Sequence, residues 1–102
     1  MPVTVTPVES ERPALGLEVS WDGGQYVQII AQKGVVTCGV VDMAVMEKFG
    51  AAMALTRGTP EKPLRTVADL LAARILEVTS AAAALGVKEG MSGKEALARL
   101  CG

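Results

Sequence analysis

The sequence predicts an α+β fold: a mixed, mostly antiparallel sheet of about five strands with helices packed on one face. The expected element order is four strands, a helix, a fifth strand and then three helices, in a single domain over residues 1–102. Three observations predict it. Apolar and polar residues alternate with period two through the first third of the chain. At Gly39 the spacing of apolar residues changes to threes and fours, the helical pattern. Half of the 102 residues are hydrophobic and only 3 % are aromatic, so the layers must be packed from small aliphatic side chains.

Val3-Thr4-Val5-Thr6 alternates before Pro7 and opens the sheet. In the second strand Leu15, Leu17, Val19 and Trp21 share one face, and Gly16, Glu18 and Ser20 share the other. Asp22-Gly23-Gly24 reads as a hairpin turn, Tyr26 to Gln32 as a third strand, and Val35 to Cys38 as a short fourth after the Lys33-Gly34 turn. Val41, Val45, Met46 and Phe49 then define a helix bounded by Asp42 and Gly50. Ala51 to Thr56 is the fifth strand, and a βαβ unit of this kind is right-handed in nearly all proteins. Arg57 to Leu64, with Gly58, Pro60 and Pro63, is a loop. From Thr66 the stripe Val67, Leu71, Ile75, Val78, Ala82, Leu85 is helical in spacing. A single helix there would be about 30 Å long at 1.5 Å per residue, as long as the whole domain, so a break is expected near Ala73-Arg74. Gly86 ends the run, and Ser92 to Leu100 is the last helix.

Composition narrows the function classes. The formal net charge is −1, without the basic face a nucleic-acid binder presents. The chain has no histidine, which excludes Ser/His/Asp and Cys/His catalysis and histidine-bound metal. The two cysteines, Cys38 and Cys101, lack CxxC spacing, and four-ligand zinc is not implied. No phosphate-cradling glycine motif occurs, so neither metal nor cofactor is expected. No run reaches the ~18 apolar residues of a membrane span, and no secretory leader is read at the start; the expected compartment is the reducing cytoplasm. Mean hydropathy is +0.36, high for so short a chain, so self-association is expected.

Three places carry residue types with chemistry. Cys38 ends a strand just before a helix, where unpaired amides and the helix dipole lower a thiol pKa to roughly 3.5–7.5. Cys38 is therefore a candidate nucleophile, with Asp42 organising it and Gly39 leaving room for a ligand. The alternative is a packed thiol acting as a small hydrophobe, with Asp42 merely capping the helix and opposing thiolate formation. Arg57, Arg65 and Lys62 surround the proline-rich loop, and if the fourth and fifth strands are parallel, Arg57 emerges beside Cys38 at their carboxyl ends. A small anionic ligand would suit this edge; an ordinary solvated loop is the alternative. Ser92 and Gly93 begin the last helix. Ser92 with Glu95 forms a capping box, the alternative being an anion held at that helix start. Thr66 with Asp69 repeats the capping pattern, and Cys101 lies at the chain end.

The stretches GVVTCGVVD, LRTVADLL and VTSAAAALGVKEGMSGKEALARL resemble the YunC-like family of small bacterial and archaeal proteins, a domain of unknown function. The resemblance runs from about Gly34 to Leu100 and is carried by Cys38-Gly39-x-x-Asp42, Arg65-Thr66, Thr79, Gly86 and Gly90-Met91-Ser92-Gly93. It implies a compact α/β domain, and no reaction, substrate or cofactor. Relatives with proline inside the long helical stretch agree with a break near Arg74. The chain departs from the family pattern at Thr59 to Pro63.

Two functions follow as expectations. One is a small-molecule or thiol-dependent site centred on Cys38, with Arg57 or Arg65 as anion partner. The other is a non-catalytic, homo-oligomeric module in which Cys38 packs, Ser92 caps and the apolar surplus forms a subunit interface.

Overall fold

The structure, a computed structural model, describes residues 3–8, 14–39, 41–58, 61 and 63–101. Its strands are β1 (Val3–Val8), β2 (Ala14–Trp21), β3 (Gly24–Ile30), β4 (Val35–Thr37), β5 (Met53–Leu55) and β6 (Glu77–Val78). Its helices are α1 (Met43–Lys48), α2 (Val67–Ala72), α3 (Ser80–Ala84) and α4 (Gly93–Leu100). All six strands form one sheet in sequence order, antiparallel throughout except for the parallel pair β4–β5. The β2–β3 hairpin closes at Trp21↔Gly24, with Gly23 at φ 103°, a backbone region open to glycine and strained for a β-carbon.

The sheet has one strand more than the sequence predicts. The run from Thr66 to Leu85 does break where expected, at Ala73, but more than a helix–helix bend lies beyond it. Arg74 makes an antiparallel bridge to Ser92. Then Glu77–Val78 pairs with β5 as Leu55↔Glu77 and Ala54↔Val78. Thr79 secures this edge: its hydroxyl accepts from Met53 N (3.0 Å) and donates to Ala51 O (2.6 Å), and it caps α3. Helical spacing misleads here because Ile75, Val78 and Ala82 all reach apolar surroundings, but on separate pieces of backbone.

The register shows which face of the sheet is covered. Gly16 lies opposite Ile29, Glu18 opposite Val27, Val36 opposite Ile29, and Val36 beside Ala54. Val27, Ile29, Val36 and Ala54 are buried and form the main core with Leu70, Ile75, Ala82, Ala96, Leu97 and Leu100. Glu18 Oε2 accepts from Val67 N at 2.7 Å, so the Gly16/Glu18 face of β2 lies under α2. Leu15, Leu17, Val19 and Trp21 therefore project from the opposite face, where Trp21 meets Tyr26 edge-on at 6.1 Å between ring centroids. The more apolar side of β2 is not the one the helices cover.

Helices α2, α3 and α4 contribute to the main core, as the single covered face predicts; α1 is the exception. Val35 N donates to Ala52 O and Thr56 N to Thr37 O, whereas Cys38 N donates to Val27 O. With that polarity, a right-handed β4–α1–β5 crossover carries α1 over the face bearing Met53 and Leu55. Both are buried but lie outside the main core. Among the described residues no helix is long and apolar enough to cross a membrane.

Candidate functional site

Strand alternation decides the surroundings of Cys38. It continues the Val36 side of β4, opposite Val27, and is 7 % exposed within the main core. The solvent-open thiol expected at the strand end is thus turned inward. Gly39 beside it is exposed, and the aliphatic stem of Arg57 lies over it: a β-carbon on Gly39 would sit 3.2 Å from Arg57 Cγ. Gly39 and Arg57 are thereby brought together at the carboxyl ends of the parallel pair. Asp42 is the N-cap of α1, its Oδ1 accepting from Ala44 N (3.0 Å) and Val45 N (3.2 Å). These bonds commit the carboxylate to the helix.

The Arg57 guanidinium pairs with Glu77 Oε2 at 3.2 Å, both side chains being well exposed. Arg65 is exposed, and its backbone N–H donates to Asp69 Oδ2 at 3.1 Å. Lys62 lies outside the described residues. Thr66 and Asp69 form the expected capping box on α2. The backbone N–H groups of Arg65 and then Thr66 hold the Asp69 carboxyl below the usual carboxylate range.

Ser92 and Glu95 form the second expected capping box, with Glu95 N donating to Ser92 Oγ at 3.1 Å. Gly93 is buried, and a β-carbon there would run into the Leu70 carbonyl oxygen. Its place in the fold is the close contact between α4 and the end of α2. Cys101, expected to be incidental, is buried beneath the sheet as the C-cap of α4.

A cleft of about 620 Å³ opens between the loop after β5 and α2, lined by Arg57, Pro63, Leu64, Asp69, Ala72, Ala73 and Arg74. Its wall includes Arg57 of the expected set but neither Cys38 nor Ser92. Arg74 was not singled out by sequence; it sits in a run that reads as helix, and only the bridge to Ser92 turns it to this edge. Among the described residues no three His, Cys, Asp or Glu side chains converge as metal ligands.

A six-stranded sheet with one parallel pair, two boxed helices and a Cys-Gly turn into α1 defines a known class of small domain. The chain belongs to the DUF1805 family, a domain of unknown function whose pattern matches residues 37–100. It is 31 % identical over 99 residues to the uncharacterized protein YunC of Bacillus subtilis (strain 168), covering 96 % of this chain and 97 % of that one. The crystal structure of TA1206 from Thermoplasma acidophilum, a protein of unknown function, shares the fold with a TM-score of 0.86. That likeness holds at 19 % identity and covers 97 % of this chain and 93 % of that one. The resemblance to the YunC-like family read from the Cys-Gly and Gly-Met-Ser-Gly motifs is the correct one.

Proposed function

We propose that the chain acts as a non-catalytic module that assembles with copies of itself through the bare face of β2 and β3. One observation carries this reading: α2 covers the Gly16/Glu18 face of β2 and leaves the more apolar face of β2 and β3 open, α1 reaching that face of the sheet only over β5. Leu15 is 49 %, Ile30 45 % and Trp21 43 % exposed there. Phe49, the C-cap of α1, is 79 % exposed. A monomer of 10.6 kDa ordinarily exposes about 5,500 Å²; this chain exposes 6096 Å². A two-fold axis would lay the same patch on itself, as most homodimers do.

Leu15 and Ile30 are direct cross-strand partners, which supplies a variant that spares the fold. Leu15→Lys with Ile30→Glu places opposite charges side by side, a favourable pair on a sheet, at the end of the patch away from Trp21. Light scattering is expected to give a mass above 10.6 kDa for the unmodified chain and the single-chain mass for the variant, with circular dichroism unchanged. An unmodified chain that stays single at millimolar concentration refutes the proposal.

A further inference from the structure

We infer that the cleft between the loop after β5 and α2 is a binding site for a small monocarboxylate with an apolar body. A different observation carries this than carries self-assembly. The cleft's volume of about 620 Å³ falls within the ~300–1,000 Å³ of small-molecule sites. Pro63, Leu64, Ala72 and Ala73 give it an apolar wall, and Leu64 and Ala73 are half-buried. Two arginines, Arg57 and Arg74, are among the residues that line it.

The charges that line the cleft differ in how firmly they are held. Asp69 is committed: its carboxylate accepts from Arg65 N (3.1 Å) and Thr66 N (3.2 Å) at the start of α2. Arg57 shares one contact with Glu77 at 3.2 Å, and both are exposed. Such surface pairs contribute ~0–1 kcal/mol, so a ligand carboxylate can replace Glu77 at little cost. Arg74 makes no ion pair among the described residues. A planar guanidinium matches a carboxylate with two parallel hydrogen bonds. With Asp69 and Glu77 close by, a monoanion is accommodated and a dianion is opposed. The position agrees with the chemistry, because ligands in open α/β units gather at the carboxyl ends of parallel strands, and Arg57 follows β5 at that end.

The test is a ¹H–¹⁵N titration of the whole chain with hexanoate, with hexan-1-ol as the neutral match and inorganic phosphate as the anion without an apolar body. Hexanoate is expected to shift the amides of Leu64, Asp69 and Ala72 to Arg74 saturably, binding at least tenfold tighter than hexan-1-ol or phosphate. Arg57→Gln and Arg74→Gln, both at exposed positions, are each expected to weaken hexanoate at least fivefold. Equal binding of hexanoate and hexan-1-ol, tighter binding of phosphate, or unchanged affinity in both variants overturns the proposal. The comparison of the three probes on the unmodified chain stands even if a variant folds poorly.

Discussion

Replacing Gly93 with alanine sets two physical effects against each other. Gly93 is the first residue of α4, directly after the Ser92 cap. Helix propensity alone favours alanine over glycine by up to ~1 kcal/mol, and by less at the end of a helix. Packing says the opposite. The new methyl group would overlap the Leu70 carbonyl oxygen, with the Leu70 carbonyl carbon at 3.0 Å and Leu71 Cα at 3.1 Å. These are backbone atoms of α2 that cannot rotate aside, so the two helices must part. Leu70, Ala96, Leu97 and Leu100 are buried in the core these helices share. Each large side chain contributes about 1.5–3 kcal/mol by burial. Opening a gap of ~0.5–1 Å forfeits a quarter to a half of the dispersion contact. For the three leucines the loss comes to about 1–4 kcal/mol, and with the smaller propensity gain at a helix end set against it the net effect is destabilisation by about 1–3 kcal/mol. Thermal unfolding at one fixed protein concentration should show a Tm lower by roughly 5–20 °C, at ~4–8 °C per kcal/mol for a domain this size. Lys94→Ala, one residue on and exposed, is the control and should move Tm little. A Gly93→Ala chain as stable as the unmodified one would refute the close α2–α4 contact and leave Gly93 available for another role.

Thr79→Val removes a buried hydroxyl bonded to Met53 N, Ala51 O and Ala82 N. Buried groups left without partners cost ~1–3 kcal/mol each, so urea unfolding should report a loss of at least about 2 kcal/mol. Asp69 has a lowered pKa in the folded chain, first through the Arg65 N–H and then the Thr66 N–H. Its contribution is therefore complete above the unfolded value of roughly 3.9 and is lost as pH falls through the lower folded value. Asp69→Asn should be less stable than the unmodified chain at pH 7, with the gap closing below about pH 4; a gap independent of pH contradicts the assignment. Cys38 should react with a thiol reagent far more slowly in the folded chain than after unfolding, as read by mass spectrometry of its peptide. Immediate labelling at neutral pH would restore the thiol-centred reading.

Much of the frame is legible in the residues. Asp42, Thr66 and Ser92 each start the helix their sequence context announces, because a capping side chain satisfies local amides whatever packs above it. The β4–α1–β5 unit is likewise local, and Thr56 N donates to Thr37 O at 2.8 Å as a parallel pair requires. What the residues conceal is tertiary. Alternation in β2 separates Leu15, Leu17, Val19 and Trp21 from Gly16, Glu18 and Ser20, but it does not say which set meets the helices. The smaller set does, because α2 sits close enough for Val67 N to reach Glu18. The two-residue β6 is hidden for a similar reason: Val78 fits a helical stripe and an edge strand equally well until β5 lies beside it. At the candidate site the sequence puts Arg57 on the edge where Cys38 ends its strand, and the residue that Arg57 lies over there is Gly39. It leaves Cys38 open between a solvent-facing and a packed thiol, which the parity of β4 decides, and it does not show that Arg74, held by its bridge to Ser92, lines the same cleft as Arg57.

Contact between copies through the open apolar face has a reporter built into it. Trp21 is the chain's single tryptophan and stands on that face. Its fluorescence should be followed during serial dilution, with mass measured in parallel by sedimentation. Self-association should give a blue-shifted emission at high concentration that moves to the red as the mass falls to 10.6 kDa. A single-chain mass at every concentration, with an emission maximum that never moves, would contradict it.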